Sequence, residues 1–219
     1  MAKSSLKIGL KNFGGFTLAE VLITLVIIGV IAAMTIPTLM NNTNKQEYVS
    51  RLKKAYSTLS QATNKIITDE GMPRADMGGW ATSAEAVFNM YQKYLSNTKV
   101  CGKDIKGCFA GSYKLLNGGV ENSLDNRYTL VMSDGAEISV GDLHFSDNCS
   151  HSSEMACQII DVDVNGAKGP NAVGIDTFTF ILRENGLVPA GCDVDKCRKG
   201  TDSGWSCACK VLREGAINY

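Results

Sequence analysis

Residues 16–36 are almost continuously apolar, relieved only by threonines and by one ionisable side chain, Glu20. As a helix this run would be about 32 Å long at 1.5 Å per residue. That is just enough to cross a hydrocarbon core about 30 Å thick. Gly29 and Ala33 are spaced as a small-xxx-small pair, which lets helices approach closely and is equally ordinary in any apolar helix. Pro37 removes a backbone donor and crowds the preceding turn. Asn41, Asn42 and Asn44 are poor helix formers, so the helix is expected to loosen there.

A different pattern follows. Tyr48, Leu52, Ala55, Leu59, Ala62 and Ile66 form one face of a helix, with Lys45, Arg51, Lys53 and Lys54 largely off that stripe. Residues 45–68 therefore read as an amphipathic continuation, its stripe packed on a globular head; a coiled-coil seam is the weaker alternative. Glu70-Gly71-Met72-Pro73 supplies stop signals. Thr82-Ser83-Ala84-Glu85 has a capping-box pattern and precedes Val87, Phe88, Tyr91 and Leu95, which predicts a helix over 83–95. Strand patterns begin after about residue 110. Arg127–Met132 and Ala136–Val140 flank Ser133-Asp134-Gly135, a hairpin signature. Gln158–Val164 alternates, with Ile160, Val162 and Val164 on one face and Asp161 and Asp163 on the other, and Thr177–Leu182 is a further strand. A helix, a second helix and hairpin-linked strands make an α+β layout. The segment from Gly191 to Tyr219 has four cysteines and little periodicity, and reads as a covalently stapled loop.

Charge changes this picture little. The 22 basic and 22 acidic side chains cancel, so no global field draws the chain to nucleic acid or an anionic surface. The short basic run Lys196, Arg198, Lys199 is offset by Asp193, Asp195 and Asp202. Cysteine changes it more. All eight cysteines lie in Cys101–Cys209, which points to disulfides in an oxidising compartment. Local pairing suggests Cys101–Cys108 and Cys149–Cys157, leaving Cys192, Cys197, Cys207 and Cys209 to pair among themselves. Zinc fits poorly: there is no CxxC, and His144 and His151 are not at finger spacing. Lys3, Lys7 and Lys11 make a basic leader, but Gly14-Gly15 precedes the apolar run and no Ala-x-Ala site follows it, so the run is expected to be retained. Basic residues flank it on both sides, so the positive-inside count is ambiguous. The cysteines place the C-terminal part outside the cytoplasm.

Glu20 is the anomaly. An acid at the bilayer centre costs roughly 2.5–3.5 kcal/mol, less toward the end of a span. Either it lies near enough to the interface to be hydrated, or it meets a cation from another chain. Cleavage after Gly15 would create such a cation, the α-amino group of Phe16. Gly15-Phe16-Thr17-Leu18-Ala19-Glu20 and the apolar run Val21–Ala33 resemble the N-terminus of type IV pilins and type II secretion pseudopilins. The resemblance covers roughly residues 1–60. It implies cleavage between Gly15 and Phe16 by a prepilin peptidase, N-methylation of Phe16, and pairing of Glu20 with a neighbouring subunit's Phe16 amine in a helical filament. It also implies an inner-membrane assembly platform as partner.

Asp161-Val162-Asp163-Val164-Asn165-Gly166, with Asn171 and Asp176 beyond it, sets oxygen ligands at alternate positions, like the opening of a calcium loop. Ala172 stands where an EF-hand would carry its bidentate glutamate, so the five residues Asp161, Asp163, Asn165, Asn171 and Asp176 are either a different calcium loop or a solvated strand face entering an Asn-Gly turn. No phosphate loop, nucleophile elbow or zinc-protease motif occurs, and the histidines sit in a polar stretch without a nucleophile motif, so no enzyme is expected. Trp80 and Trp205 lie among glycines and read as buried anchors.

The organisation expected is a leader over 1–15, a transmembrane and assembly helix over 16–40, its amphipathic continuation over 41–70, and an extracytoplasmic head over 71–219. The fold class is α+β, a long helical spine on a small antiparallel sheet with stapled loops. The function expected is a structural filament subunit, inserted in the inner membrane before assembly and then part of a periplasmic or cell-surface filament. The competing reading is a membrane-anchored, calcium-dependent binding module or adhesin.

Overall fold

The computed structural model describes residues 15–73, 81, 83–103, 107–122, 127–141, 149, 156–194 and 196–219, apart from the side chains of 38, 41 and 42. The chain divides into two compact units, Met1–Thr43 and Asn44–Tyr219. Helix α1, Leu18–Glu70, contributes to both.

In the first unit α1 begins at Leu18, and its apolar side chains are exposed. The expected loosening at Pro37 does not interrupt it: Pro37 lies inside the helix. Proline costs one bond of the ladder there, and once a long helix is nucleated a single missing donor does not end its propagation.

In the second unit α1 presents the predicted stripe. Tyr48, Leu52, Ala55, Leu59, Ala62 and Ile66 are all buried, in one core with the head. Helix α2, Ala84–Tyr94, starts one residue later than predicted. Its N-cap is Ser83, whose side chain accepts from the Ala86 N–H at 3.0 Å. The box expected to open at Thr82 is therefore displaced by one residue, and Thr82 itself lies outside the described residues. Val87, Phe88 and Tyr91 turn inward, and Tyr91 shares a 2.5 Å hydroxyl bond with Thr63 of α1.

Six strands form an antiparallel sheet: β1 Asn97–Gly102, β4 Tyr128–Met132, β5 Glu137–Val140, β6 Gln158–Asp163, β7 Thr177–Arg183 and β8 Gly186–Pro189, in the order β1-β4-β5-β6-β7-β8. Strands β2, Tyr113–Lys114, and β3, Val120–Glu121, pair separately. The β4–β5 hairpin turns at the predicted Ser133-Asp134-Gly135. Leu130, Ile138, Ile160, Val162, Phe178, Phe180 and Leu182 face the helical layer and join its core. Tyr56 of α1 stacks on Phe180 with ring centroids 5.5 Å apart. The opposite face carries Thr129, Glu137, Ser139, Asp161, Asp163, Thr177 and Thr179, and every one of them is buried.

Four disulfides staple the head: Cys101–Cys108 and Cys149–Cys157, as the sequence suggests, then Cys192–Cys209 and Cys197–Cys207. Such bridges typically contribute about 2–4 kcal/mol each. The C-terminal segment is not all loop. Helix α3, Ala208–Glu214, buries Ala208 and Val211. Gly191 has φ +87°, and a Cβ there would stand 1.9 Å from the Ser206 carbonyl oxygen. Only glycine allows the two stapled strands of chain to pass so closely.

Candidate functional site

Two groups of polar side chains stand out, one in each unit. The first is at the start of α1. Phe16 is 88 % exposed, and Thr17 and Glu20 form a reciprocal cap. The Thr17 backbone N–H and its hydroxyl both donate to Glu20 Oε2 at 2.8 Å, while the Glu20 N–H donates to Thr17 Oγ1 at 3.2 Å. This is a capping box. Its sequence signal is Thr17-Leu18-Ala19-Glu20 directly before the apolar run. Among the described residues both donors to Glu20 are neutral, so the box orients the carboxylate without balancing it. From Leu18 to Pro37 mean hydropathy is 2.5, and none of this stretch is buried. It is long and apolar enough to cross a membrane.

The second group is the buried polar face of the sheet. Asp161 takes the Thr179 hydroxyl on Oδ1 at 2.6 Å and ion-pairs through Oδ2 with Arg127. The Arg127 guanidinium lies over the half-buried Trp205 ring, 5.9 Å from its centroid. Trp205 thus anchors the C-terminal segment, whereas Trp80, His144 and His151 lie outside the described residues. Asp163 accepts the Tyr113 hydroxyl at 2.9 Å and the Asn165 N–H at 3.2 Å. Asp176 accepts the Asn171 and Ala172 N–H groups at 2.8 and 2.6 Å. Of the five residues suggested for calcium, Asp163, Asn165, Asn171 and Asp176 belong to one strand-and-loop cluster, while Asp161 is committed to Arg127 and Thr179. Glu137, which sequence reading missed, pairs in register with Asp163. Its alternation with Ile138 looks like an ordinary solvent face, and nothing local in the sequence says that a loop covers it.

Burial sets the electrostatics here. It pushes the Asp163 carboxyl up to about 8, with the neighbouring Asp176 charge adding to the rise and the Tyr113 and Asn165 hydrogen bonds opposing it. It pushes Glu137 up to about 7, against the Ala167 N–H and the Lys99 charge. Asp176 is also raised by burial, with the Ala172 and Asn171 N–H groups opposing. Tyr113 is held well above the usual phenol range by burial and by Asp163. Among the described residues no three His, Cys, Asp or Glu side chains form a group that could hold a metal ion by themselves.

These features define an α+β protein led by an apolar helix of bilayer-spanning length, with its one acid prepared at the helix start. Residues 10–36 match the family model described as the prokaryotic N-terminal methylation motif. That motif is the hallmark of the prepilin-type signal of type IV pilins and pseudopilins, and it supports a pilin-like or pseudopilin-like precursor in general. No curated protein and no solved structure matches the chain.

Proposed function

We propose that the protein is a structural subunit of a type IV pilus or type II secretion filament. A prepilin peptidase removes residues 1–15, the new Phe16 amine is methylated, and the apolar helices bundle on an inner-membrane platform. Glu20 sets the axial register by pairing with a neighbour's Phe16 amine, because a misregistered subunit leaves a buried charge uncompensated. The observation that carries this reading is the state of Glu20: it stands exposed on an unburied apolar helix and, among the described residues, receives only the neutral donors of Thr17.

The capping box supplies a discriminating experiment. Glu20→Gln keeps an acceptor for the Thr17 N–H but removes the charge, whereas Glu20→Ala removes both. Under charge pairing both variants insert in the membrane and both lose most filament yield in a shearing assay. Normal assembly of Glu20→Gln would show that the cap, not the charge, is what matters, and would sink the register mechanism. Replacing Gly15 with a bulkier residue is expected to leave the leader attached. Mass spectrometry finding a mature chain that starts at Phe16 in that variant would contradict the processing step.

A further inference from the structure

The four disulfides are not equally sheltered. Cys108, Cys149, Cys157, Cys197 and Cys207 are buried, Cys101 and Cys209 are half-buried, and Cys192 alone among these half-cystines is exposed. The Cys192–Cys209 bridge encloses the Cys197–Cys207 bridge in sequence, so the two are nested. When the outer bridge opens, the buried inner one still ties this segment to the residue that caps α3. Ala208 and Val211 of α3 also remain in the core of the head. The outer bridge is therefore open to chemistry that the fold can survive.

Cys192 also lines a cavity of about 170 Å³, together with Asp193, Ser206, Lys210 and Arg213. The charges there do not cancel. Asp193 is held by Arg183, whose Nη2 donates to its Oδ2 at 2.8 Å. Lys210 lies over the Tyr219 ring, 5.9 Å from its centroid, and Arg213 is exposed. Among the described residues no ion pair reaches either cation. Two uncompensated cations thus share a cavity with the one exposed half-cystine. We propose that this cavity is a thiol-exchange site, and that it takes small thiols carrying a carboxylate.

Disulfide exchange proceeds by attack of a thiolate on one sulfur of the bridge. Here the entering thiolate bonds to Cys192 Sγ, and the Cys192–Cys209 bond breaks. Cys209 Sγ leaves with the electron pair of that bond and takes a proton from water. The entering thiol is oxidised to a mixed disulfide on Cys192 while Cys209 is reduced, so the electrons balance without a further reactant. Attack of Cys209 on Cys192 Sγ reverses the step and expels the thiol. Lys210 and Arg213 attract the carboxylate of the entering thiol and raise its local concentration. The outcome is a reversible acidic adduct on the surface of the head. This inference does not depend on filament assembly.

The test uses the full chain in uncharged detergent micelles at pH 8 and low salt, with mercaptoacetate as the anionic thiol and cysteamine as the cationic one. Each rate is divided by the rate of the same thiol on hydroxyethyl disulfide, an uncharged reference that removes differences in nucleophilicity. Iodoacetamide stops the reaction, and peptide mapping reads the product. Mercaptoacetate is expected on Cys192 and the alkyl group on Cys209, with the other three bridges intact. Its normalised rate should exceed that of cysteamine at least about fivefold, and the preference should fall below about twofold in molar salt. The double variant Lys210→Gln/Arg213→Gln should lose the preference to the same extent; the salt comparison needs no variant and decides the matter if that pair cannot be replaced. An adduct absent from Cys192, or another bridge that opens as fast, would overturn the site. Equal rates for the two thiols, or a preference that survives either molar salt or the double variant, would overturn the role of the cations and with it the choice of thiol.

Discussion

Glu20 and Asp161 are both carboxylates flanked in sequence by apolar residues, and the chain provides for them in opposite ways. Asp161 receives a guanidinium and a hydroxyl from its own unit, beneath a covering segment anchored by Trp205. Among the described residues, Glu20 receives a hydroxyl and a backbone N–H from Thr17 and stands exposed at the helix start. The head therefore satisfies its own polar groups in the region of Asp161, while under the proposed function the charge on the spine is met by another chain. Stability and assembly become separable properties, and substitutions can be sorted by which one they change.

The largest effect is expected at Asp161. Asp161→Ala removes one partner of a buried pair and leaves Arg127 and Thr179 unsatisfied, at a cost of about 3–5 kcal/mol. Denaturant unfolding of the full chain in detergent, followed by near-UV circular dichroism, measures this directly. A loss below about 1 kcal/mol would mean that the pair is exposed in solution, and the contrast with Glu20 would fail.

One helix allows the same substitution in both settings. Leu59 is fully buried and Leu25 is 60 % exposed. Leu59→Ala is expected to destabilise the head by about 2–5 kcal/mol. Leu25→Ala should leave head stability within about 0.5 kcal/mol and lower filament yield instead. Comparable losses of head stability would show that the two stretches of α1 do not serve separate roles.

The buried acids give the comparison a pH dependence. Glu137 and Asp163 titrate near 7 and 8 in the folded chain but near about 4 when unfolded. The folded state thus binds protons more tightly than the unfolded state, and stability must fall as pH rises through that interval. In EDTA the head is expected to be more stable at pH 5 than at pH 8.5, by a few kcal/mol in total. Lys99 and the Tyr113 hydrogen bond moderate the loss. A melting temperature that rises from pH 5 to pH 8.5 without calcium would contradict the burial of these groups.

How much of this could be read from the residues depends on what a local pattern can report. The stripe from Tyr48 to Ile66 was legible because a helix buried on one side keeps a helical period over several turns. The β4–β5 hairpin was legible because Ser-Asp-Gly fixes its own turn. Strand β1 was missed because Asn97–Gly102 is an edge with exposed Thr98, Lys99 and Val100, so no face alternates cleanly. Strand β8 begins with Gly186 and ends with Pro189, both of which read as breakers. Helix α3 is seven residues long, too short for a period, and Cys209 within it is stapled to Cys192. At the candidate sites the acidic residues stood out in the sequence but their neighbours did not. Asp161 and Asp163 alternate as a solvated strand would, and only the fold reveals the covering that makes Glu137 their neighbour.

The smallest effect concerns two helix caps. Ser83 caps α2 through a single bond to the Ala86 N–H, and Thr17 caps α1 through the reciprocal box with Glu20. Ser83→Ala should cost about 1 kcal/mol, seen as a Tm decrease of about 2–4 °C, because α2 is part of the head core. Thr17→Val removes an equivalent cap, yet head Tm should stay unchanged, since fraying at Leu18 ends within a turn or two and the head begins at Asn44. Its consequence should fall on Glu20, which then has no hydroxyl to hold it and must adopt its assembled orientation at a greater entropic cost. Filament yield should therefore fall for Thr17→Val and recover for Thr17→Ser, which restores the hydroxyl. Failure of serine to rescue would assign the loss to packing of the threonine methyl group, and the capping box would then have no part in assembly.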